Sequence, residues 1–310
     1  MEVFYPPTWT LSKNLDADRL EQDIIMWLDK SDLIPTPSLK QKVRKMEIGA
    51  YTGLSHPFGT YAQALVYGKY ITLWLLWDDV VIEKQASEEH IRETIQALTQ
   101  GKTTSTNPYV QAWAQLSLDF QHASSPKWIR RLSWNMLQWL LAARGEAKMP
   151  NDGGDWPLSK LLHQRLITIG MMPTIQMLEL VAGLDLDVVA LNDPGVQKCM
   201  TIATTIVALV NEMMSFGKDT RSSWPNLINI TAKQRQWSVQ QSFDYWGQIL
   251  QQTFARYDEA AALLPLNLQP WLHLLRSCSL GFAHWHTLCP RYLNHQPPEL
   301  CLVFLRTPDF

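Results

Sequence analysis

Ile71-Thr72-Leu73-Trp74-Leu75-Leu76-Trp77 runs without interruption into Asp78-Asp79-Val80-Val81-Ile82-Glu83. The first seven residues read as part of a buried helix, because apolar side chains cover every face of it. Two adjacent carboxylates at the end of such a run repel each other and lose solvation, so a cation stabilises them. On an ideal helix Asp79 and Glu83 share a face, while Asp78 lies about 100° round from Asp79. Oxygen ligands of this kind suit magnesium, which keeps several waters and takes one or two carboxylates alongside phosphate oxygens. A solvated helix end would carry the same charges, so this motif does not decide the matter by itself.

Outward from this stretch, the 18 prolines divide the chain. Proline-free stretches run from Pro57 to Pro108, Pro126 to Pro150, Pro173 to Pro194, Pro194 to Pro225, Pro225 to Pro265 and Pro270 to Pro290. Each has room for one or two helices, and apolar residues recur at three and four while strict alternation is scarce. The expectation is an all-α chain. With no internal repeat, linker or composition break, residues 1–310 read as a single helical domain. A loosely structured strap covers residues 1–10, and a surface connection lies near residues 148–156.

With 46% hydrophobic and 18% charged residues and a formal charge of -2, the chain can bury a sizeable core. It has no basic excess for nucleic acid or an anionic membrane surface. The uncharged runs at 132–143 and 166–178 are shorter than the roughly 20 residues of a membrane-spanning helix. The N-terminus, Met1-Glu2-Val3-Phe4-Tyr5-Pro6-Pro7, has neither the basic nor the apolar segment of a secretion signal. A cytoplasmic protein is expected. Cys199, Cys278, Cys289 and Cys301 lack zinc spacing and read as buried, reduced thiols.

A second polar cluster, Asn211-Glu212-Met213-Met214-Ser215-Phe216-Gly217-Lys218-Asp219, follows the apolar run 202–210. Asn211, Ser215 and Asp219 are four apart, so an ideal helix turns them only about 40° per step. Three oxygen ligands on one side make a metal site; a polar stripe on an amphipathic helix would look similar.

Together the two clusters resemble those of bacterial-type class I terpene synthases. That family pairs an aspartate-rich motif after an aromatic run with an Asn/Asp, Ser/Thr, Glu/Asp triad. The resemblance implies a single-domain helical bundle around a central active-site cavity. It also implies magnesium, three ions with manganese as a substitute, held by Asp78, Asp79 and Glu83 and by Asn211, Ser215 and Asp219. Lys218 sits where the triad commonly carries a diphosphate-contacting lysine. Two positions depart from the pattern: Glu212 stands for the usual aspartate, and Asp219 for the commoner glutamate. Arg165 precedes Asn211 by 46 residues, where the family carries a diphosphate-sensing arginine ahead of a helix break. Gly170 and Pro173 would supply that break. Arg291-Tyr292, 80 residues after Asn211, matches the family's late Arg-Tyr pair.

The implied reaction is ionisation of a linear prenyl diphosphate, farnesyl diphosphate by default, with release of diphosphate and cyclisation of the cation to a hydrocarbon or alcohol. Arg165, Asn211, Lys218, Arg291 and Tyr292 would hold the diphosphate, with Arg165, Arg291 and Tyr292 catalytic. The cation needs a dry cavity with aromatic walls. Trp74 and Trp285 are the expected lining, with Phe216, Met213 and Met171 behind them. A geranyl, methylgeranyl or geranylgeranyl substrate fits the same machinery, and a homodimer is expected from the resemblance. The rivals are a prenyl diphosphate synthase, which would carry a second aspartate-rich motif at the triad, and a non-catalytic helical binding protein. A proton-initiated cyclase would need a fourth-position aspartate that Asp185-Leu186-Asp187-Val188 lacks.

Overall fold

Proline sets where several helices begin. Thr36-Pro37, Asn107-Pro108, Ser125-Pro126 and Asp193-Pro194 each place a capping side chain just before a proline in the first helical turn. The capping oxygen accepts from a backbone N–H of that turn, and proline lacks an N–H that would have had no helical partner. The computed structural model describes residues 1–82, 86–149, 156–184, 186–295 and 302–306. Glu83, Asp185, Cys301 and most of the connection at 148–156 lie outside the described residues.

In chain order the elements are β1 (Glu2–Tyr5), α1 (Ala17–Lys30), α2 (Pro37–Arg44), α3 (Ile48–Ser55), α4 (Tyr61–Trp77) and a π turn (Asp78–Ile82). Then come α5 (Glu88–Gln100), α6 (Pro108–Ala123), α7 (Pro126–Glu146), α8 (Leu158–Thr168), α9 (Met171–Ala182) and α10 (Val188–Asn192). α11 (Pro194–Ser222), α12 (Leu227–Arg235), α13 (Val239–Ala261), a 3-10 turn (Leu266–Leu268), α14 (Gln269–Leu288), α15 (Pro290–Leu293) and β2 (Val303–Arg306) complete the chain. Among the described residues the fold is all-α apart from two short strands.

The chain forms two compact units. One comprises Lys13–Lys148 and Met172–Leu186, with α4 as its core helix. A capping box between Thr60 and Gln63 starts α4, which buries Tyr67, Tyr70, Ile71, Leu73, Trp74, Leu76 and Trp77. Trp77 lies against Trp113 and Trp139. α7 and α9 are tied by the buried Glu179, which meets Arg131 at 2.5 Å, and by Gln176, which accepts from Asn135 at 2.8 Å.

The other unit comprises Met1–Ser12, Met149–Met171 and Asp187–Phe310. Its long axis is α11, packed by α13 and α14. Asp193 caps α11 by accepting from the Gly195 and Val196 amides at 2.8 and 3.1 Å. The N-terminal strap is docked here and is not loose. β1 pairs in parallel with β2, Glu2 opposite Val303 and Tyr5 opposite Arg306. Trp9 is fully buried, with its ring edge-on to Phe254 and Tyr257, and its indole donates to Asp258 at 2.9 Å. Four-residue strands bury too few alternating side chains to leave a periodic signal, which is why the pair went unseen in the sequence.

Two stretches, Leu158–Ala182 and Pro194–Ser222, are long and apolar enough to cross a membrane by length and composition. They are core helices: 72% and 78% of their most apolar windows are buried within the protein. Cys199, Cys278 and Cys289 are buried free thiols, as expected, and burial pushes the first two up to about 11 and about 12.

Candidate active site

On α11, Ser215 and Asp219 are buried and stand one helical turn apart, so the Ser215 hydroxyl donates to Asp219 Oδ2 at 2.5 Å. Asn226 meets the same carboxylate oxygen. Its Nδ2 donates to Asp219 Oδ2 at 3.0 Å, to the Glu212 carbonyl at 2.9 Å and to Ser215 Oγ at 3.4 Å. Its Oδ1 caps α12 by accepting from the Ile228 amide at 3.0 Å. The Pro225-Asn226 pair ahead of an apolar run signals this cap in the sequence; nothing there signals its reach to Asp219. Lys218 lies half-buried with Nζ 3.7 Å from Asp219 Oδ1.

Asn211 belongs to a second knot, one turn back along α11. The Arg165 guanidinium, on the last turn of α8, donates from Nε to Glu212 Oε1 at 2.6 Å, from Nη1 to Thr168 Oγ1 at 2.9 Å, and from Nη2 to Asn211 Oδ1 at 3.0 Å. Glu212 is 1% exposed, and its other oxygen accepts from the Leu227 amide at 2.5 Å. It therefore ties α8, α11 and the start of α12 together, a task invisible in the sequence. The helix break after Arg165 is made by Gly170, whose φ of +73° ends α8. Pro173 does not make it; it sits in the first turn of α9, where its missing N–H costs no helical bond.

Tyr292 of the Arg-Tyr pair, on α15, joins this knot through His286 of α14. Tyr292 is buried and stacks on His286, with ring centroids 4.7 Å apart and planes 28° apart, and it stands edge-on to Trp285 at 5.6 Å. His286 Nε2 in turn lies 3.1 Å from Asn211 Nδ2. Burial above all, with the nearby Arg291 charge contributing, pushes the His286 pKa down to about 3. Arg165, Asn211, Glu212, His286 and Tyr292 thus form one connected group.

The aspartate-rich motif lies in the other unit. Asp78 closes α4 and opens the π turn. The π turn ends at Ile82, and Glu83, the expected partner of Asp79 on one helical face, lies outside the described residues. Asp79 is buried, its side chain 3% exposed, and meets Lys42 of α2 at 2.9 Å. Burial, and then the Asp79 charge, raise the Tyr109 hydroxyl to about 12. Of the lining candidates, Trp74 packs on Trp139 at 4.9 Å, Phe216 on Phe243 at 5.3 Å and Trp285 on Phe282 at 5.8 Å. Met171 and Met213 are buried as well.

Among the described residues no three His, Cys, Asp or Glu side chains gather into a metal cage. Asn211, Ser215 and Asp219 in one unit, and Asp78 and Asp79 in the other, carry oxygen donors of the kind a hard divalent cation takes together with water and phosphate. The sequence pattern of a family described as terpene synthase family 2, C-terminal metal binding, matches residues 69–256. The chain belongs to this family, the bacterial-type class I terpene synthases. It is similar to terpene cyclase 4 of Gibberella fujikuroi, 22% identical over 63% of this chain and 55% of that protein, so it spans little more than half that relative's length. Sesquiterpene synthase 6 of Postia placenta is 22% identical over 90% of this chain and 86% of its own. The fold is that of the SVS_A2 protein from ancestral sequence reconstruction, with a TM-score of 0.82 over 94% of this chain and 90% of that one at 18% identity.

Proposed function

We propose that this terpene synthase ionises farnesyl diphosphate with the help of magnesium and cyclises the resulting cation. The observation that carries the reading is the guanidinium of Arg165 bonded to Asn211 Oδ1 at 3.0 Å, one turn from the bonded Ser215–Asp219 pair. A cationic fork from α8 thus lies against a set of oxygen donors on α11. Asn211, Ser215 and Asp219 hold metal in one unit, and Asp78, Asp79 and Glu83 hold metal in the other. Bound magnesium supplies electrostatic stabilisation of the charge that develops on the departing diphosphate.

Arg165, Lys218, Arg291 and Tyr292 donate hydrogen bonds to the diphosphate oxygens as that charge grows. Glu212 and Thr168 keep the Arg165 fork in one orientation, which lowers the reorganisation needed at the moment of ionisation. Trp74, Trp285 and Phe216 offer aromatic faces that stabilise a carbocation without attacking it. The fifteen-carbon substrate is supported by the similarity to a protein named as a sesquiterpene synthase.

Incubation with geranyl, farnesyl and geranylgeranyl diphosphates, with and without magnesium, tests the reading. Pyrophosphate release and mass spectrometry of the extracted products are the readouts. Farnesyl diphosphate is expected to give a magnesium-dependent cyclic product, and Asn211→Ala is expected to abolish most of it. Absence of pyrophosphate release from all three substrates, or a wild-type rate in Asn211→Ala, refutes it.

A further inference from the structure

Asn211 can act as an oxygen ligand only if its amide presents Oδ1, and not Nδ2, to the ion. Two neighbours decide that orientation. On one side stands the Arg165 guanidinium, which only donates, with Nη2 3.0 Å from Asn211 Oδ1. On the other stands His286, buried completely, with Nε2 3.1 Å from Asn211 Nδ2. The opposite ring nitrogen, Nδ1, is 2.9 Å from the Phe282 carbonyl oxygen one turn back on α14. A carbonyl only accepts, so Nδ1 carries the proton, and the neutral ring leaves Nε2 as an acceptor. An acceptor at that place selects the NH2 end of Asn211. A flipped amide would oppose two donors at Arg165 and two acceptors at His286.

We infer that His286 is the positioning residue of the metal triad: it fixes the amide of Asn211 so that one Oδ1 lone pair meets Arg165 and the other faces the ion. The chain of bonds runs from the Phe282 carbonyl through His286 and Asn211 to Arg165, and every donor in it meets an acceptor. The ring of His286 is itself clamped. It stacks on Tyr292 at 4.7 Å and lies against Phe282 at 4.3 Å and Trp285 at 4.7 Å. One side chain therefore couples the Arg-Tyr pair to the first ligand of the triad. Neither spacing nor composition marks His286; only its neighbours in space do. The inference rests on the proposed reading that Asn211 ligates a divalent ion.

Two measurements test it. In the wild-type protein labelled with 15N-histidine, long-range proton–nitrogen spectra, with His286 assigned by substitution, are expected to show the neutral Nδ1–H tautomer. A proton on Nε2 overturns the orientation argument without any variant having to fold. The second measurement compares metal binding, by manganese titration followed by electron paramagnetic resonance, with the magnesium dependence of turnover. His286→Phe keeps a stacked ring and removes the acceptor. It is expected to weaken metal binding about 10-fold, the lower end for loss of a group that orients a metal ligand. His286→Gln, which can return a carbonyl to Asn211, is expected to recover most of that loss, with kcat changed less than the metal half-saturation. Wild-type metal affinity in His286→Phe overturns the inference if Asn211→Ala binds metal weakly. Wild-type affinity in Asn211→Ala instead overturns the ligand reading itself. If His286→Phe fails to fold, the tautomer and His286→Gln decide, and a Gln variant no better than Asn211→Ala overturns the inference.

Discussion

Glu212→Gln is the most informative single change, because it removes one charge and few atoms. In the native protein the carboxylate is 1% exposed and accepts two short bonds, 2.6 Å from Arg165 Nε and 2.5 Å from the Leu227 amide. A glutamine can present its carbonyl to only one of them, and its NH2 group then faces the other donor. Breaking a buried ion pair by removing one partner costs about 3–5 kcal/mol. Arg165 is 15% exposed and keeps its bonds to Thr168 and Asn211, so the cost falls to the bottom of that range or just below it, about 2–3 kcal/mol. If half to all of that appears in the transition state, kcat/KM for the prenyl diphosphate falls about 5- to 150-fold. Glu212→Asp keeps the charge but withdraws it by one methylene, and should fall between the wild type and glutamine. The assay is pyrophosphate release under saturating magnesium, alongside a urea midpoint for each variant. A glutamine variant within twofold of wild type, with an unmoved midpoint, would show that Arg165 does not depend on Glu212 for its placement.

Asn226→Ala removes the cap of α12 and a bond to the Asp219 carboxylate, so it should destabilise the protein by about 2–3 kcal/mol in urea unfolding and weaken metal binding. Lys42→Met leaves Asp79 buried without its ammonium; as Lys42 is 44% exposed, a loss of about 1 kcal/mol is expected in metal-free protein. Excess magnesium should raise the melting temperature of that variant more than the wild type's, and equal shifts would show that Asp79 does not feel the ion. Burial pushes His56 down to about 3, below its ordinary 6.5. The unfolded chain therefore takes up a proton there first, and the stability His56 contributes is present above pH 6.5 and lost as pH falls toward 3. Between pH 6.5 and pH 5 the loss is about 2 kcal/mol, and a His56→Phe variant should show a correspondingly flatter urea midpoint over that window.

Much of this architecture was legible because it depends on near neighbours in the chain. The prolines read as boundaries between helical stretches, and Pro108, Pro126 and Pro194 do lie at such boundaries, each in the first turn of a helix. The spacing of four along α11 brings Ser215 to Asp219, since one helical turn separates them. Arg165 and Asn211, 46 residues apart, do meet, but only a family resemblance could forecast that, because nothing local encodes which helix lies beside which. The π turn at Asp78–Ile82 and the four-residue strands escaped for a related reason: each is shorter than the window over which a period can be recognised.

The side chains that hold the site together form a separate class. Glu212, Asn226 and His286 look ordinary in sequence, a glutamate beside a triad residue, an asparagine after a proline and a histidine after a tryptophan. Their importance comes from burial, since a polar group withdrawn from water must find a partner, and its partner is thereby fixed too. In a surface setting each would have water as an alternative and would orient nothing. Buried beside Arg165, Asp219 and Asn211, each has few arrangements that satisfy every donor and acceptor, and the arrangement it adopts aims a candidate ligand. Substitutions at these three positions should therefore act chiefly through geometry. A variant that restores an acceptor or donor at the same place should recover function even when its charge or shape differs, whereas one that restores only the volume should not.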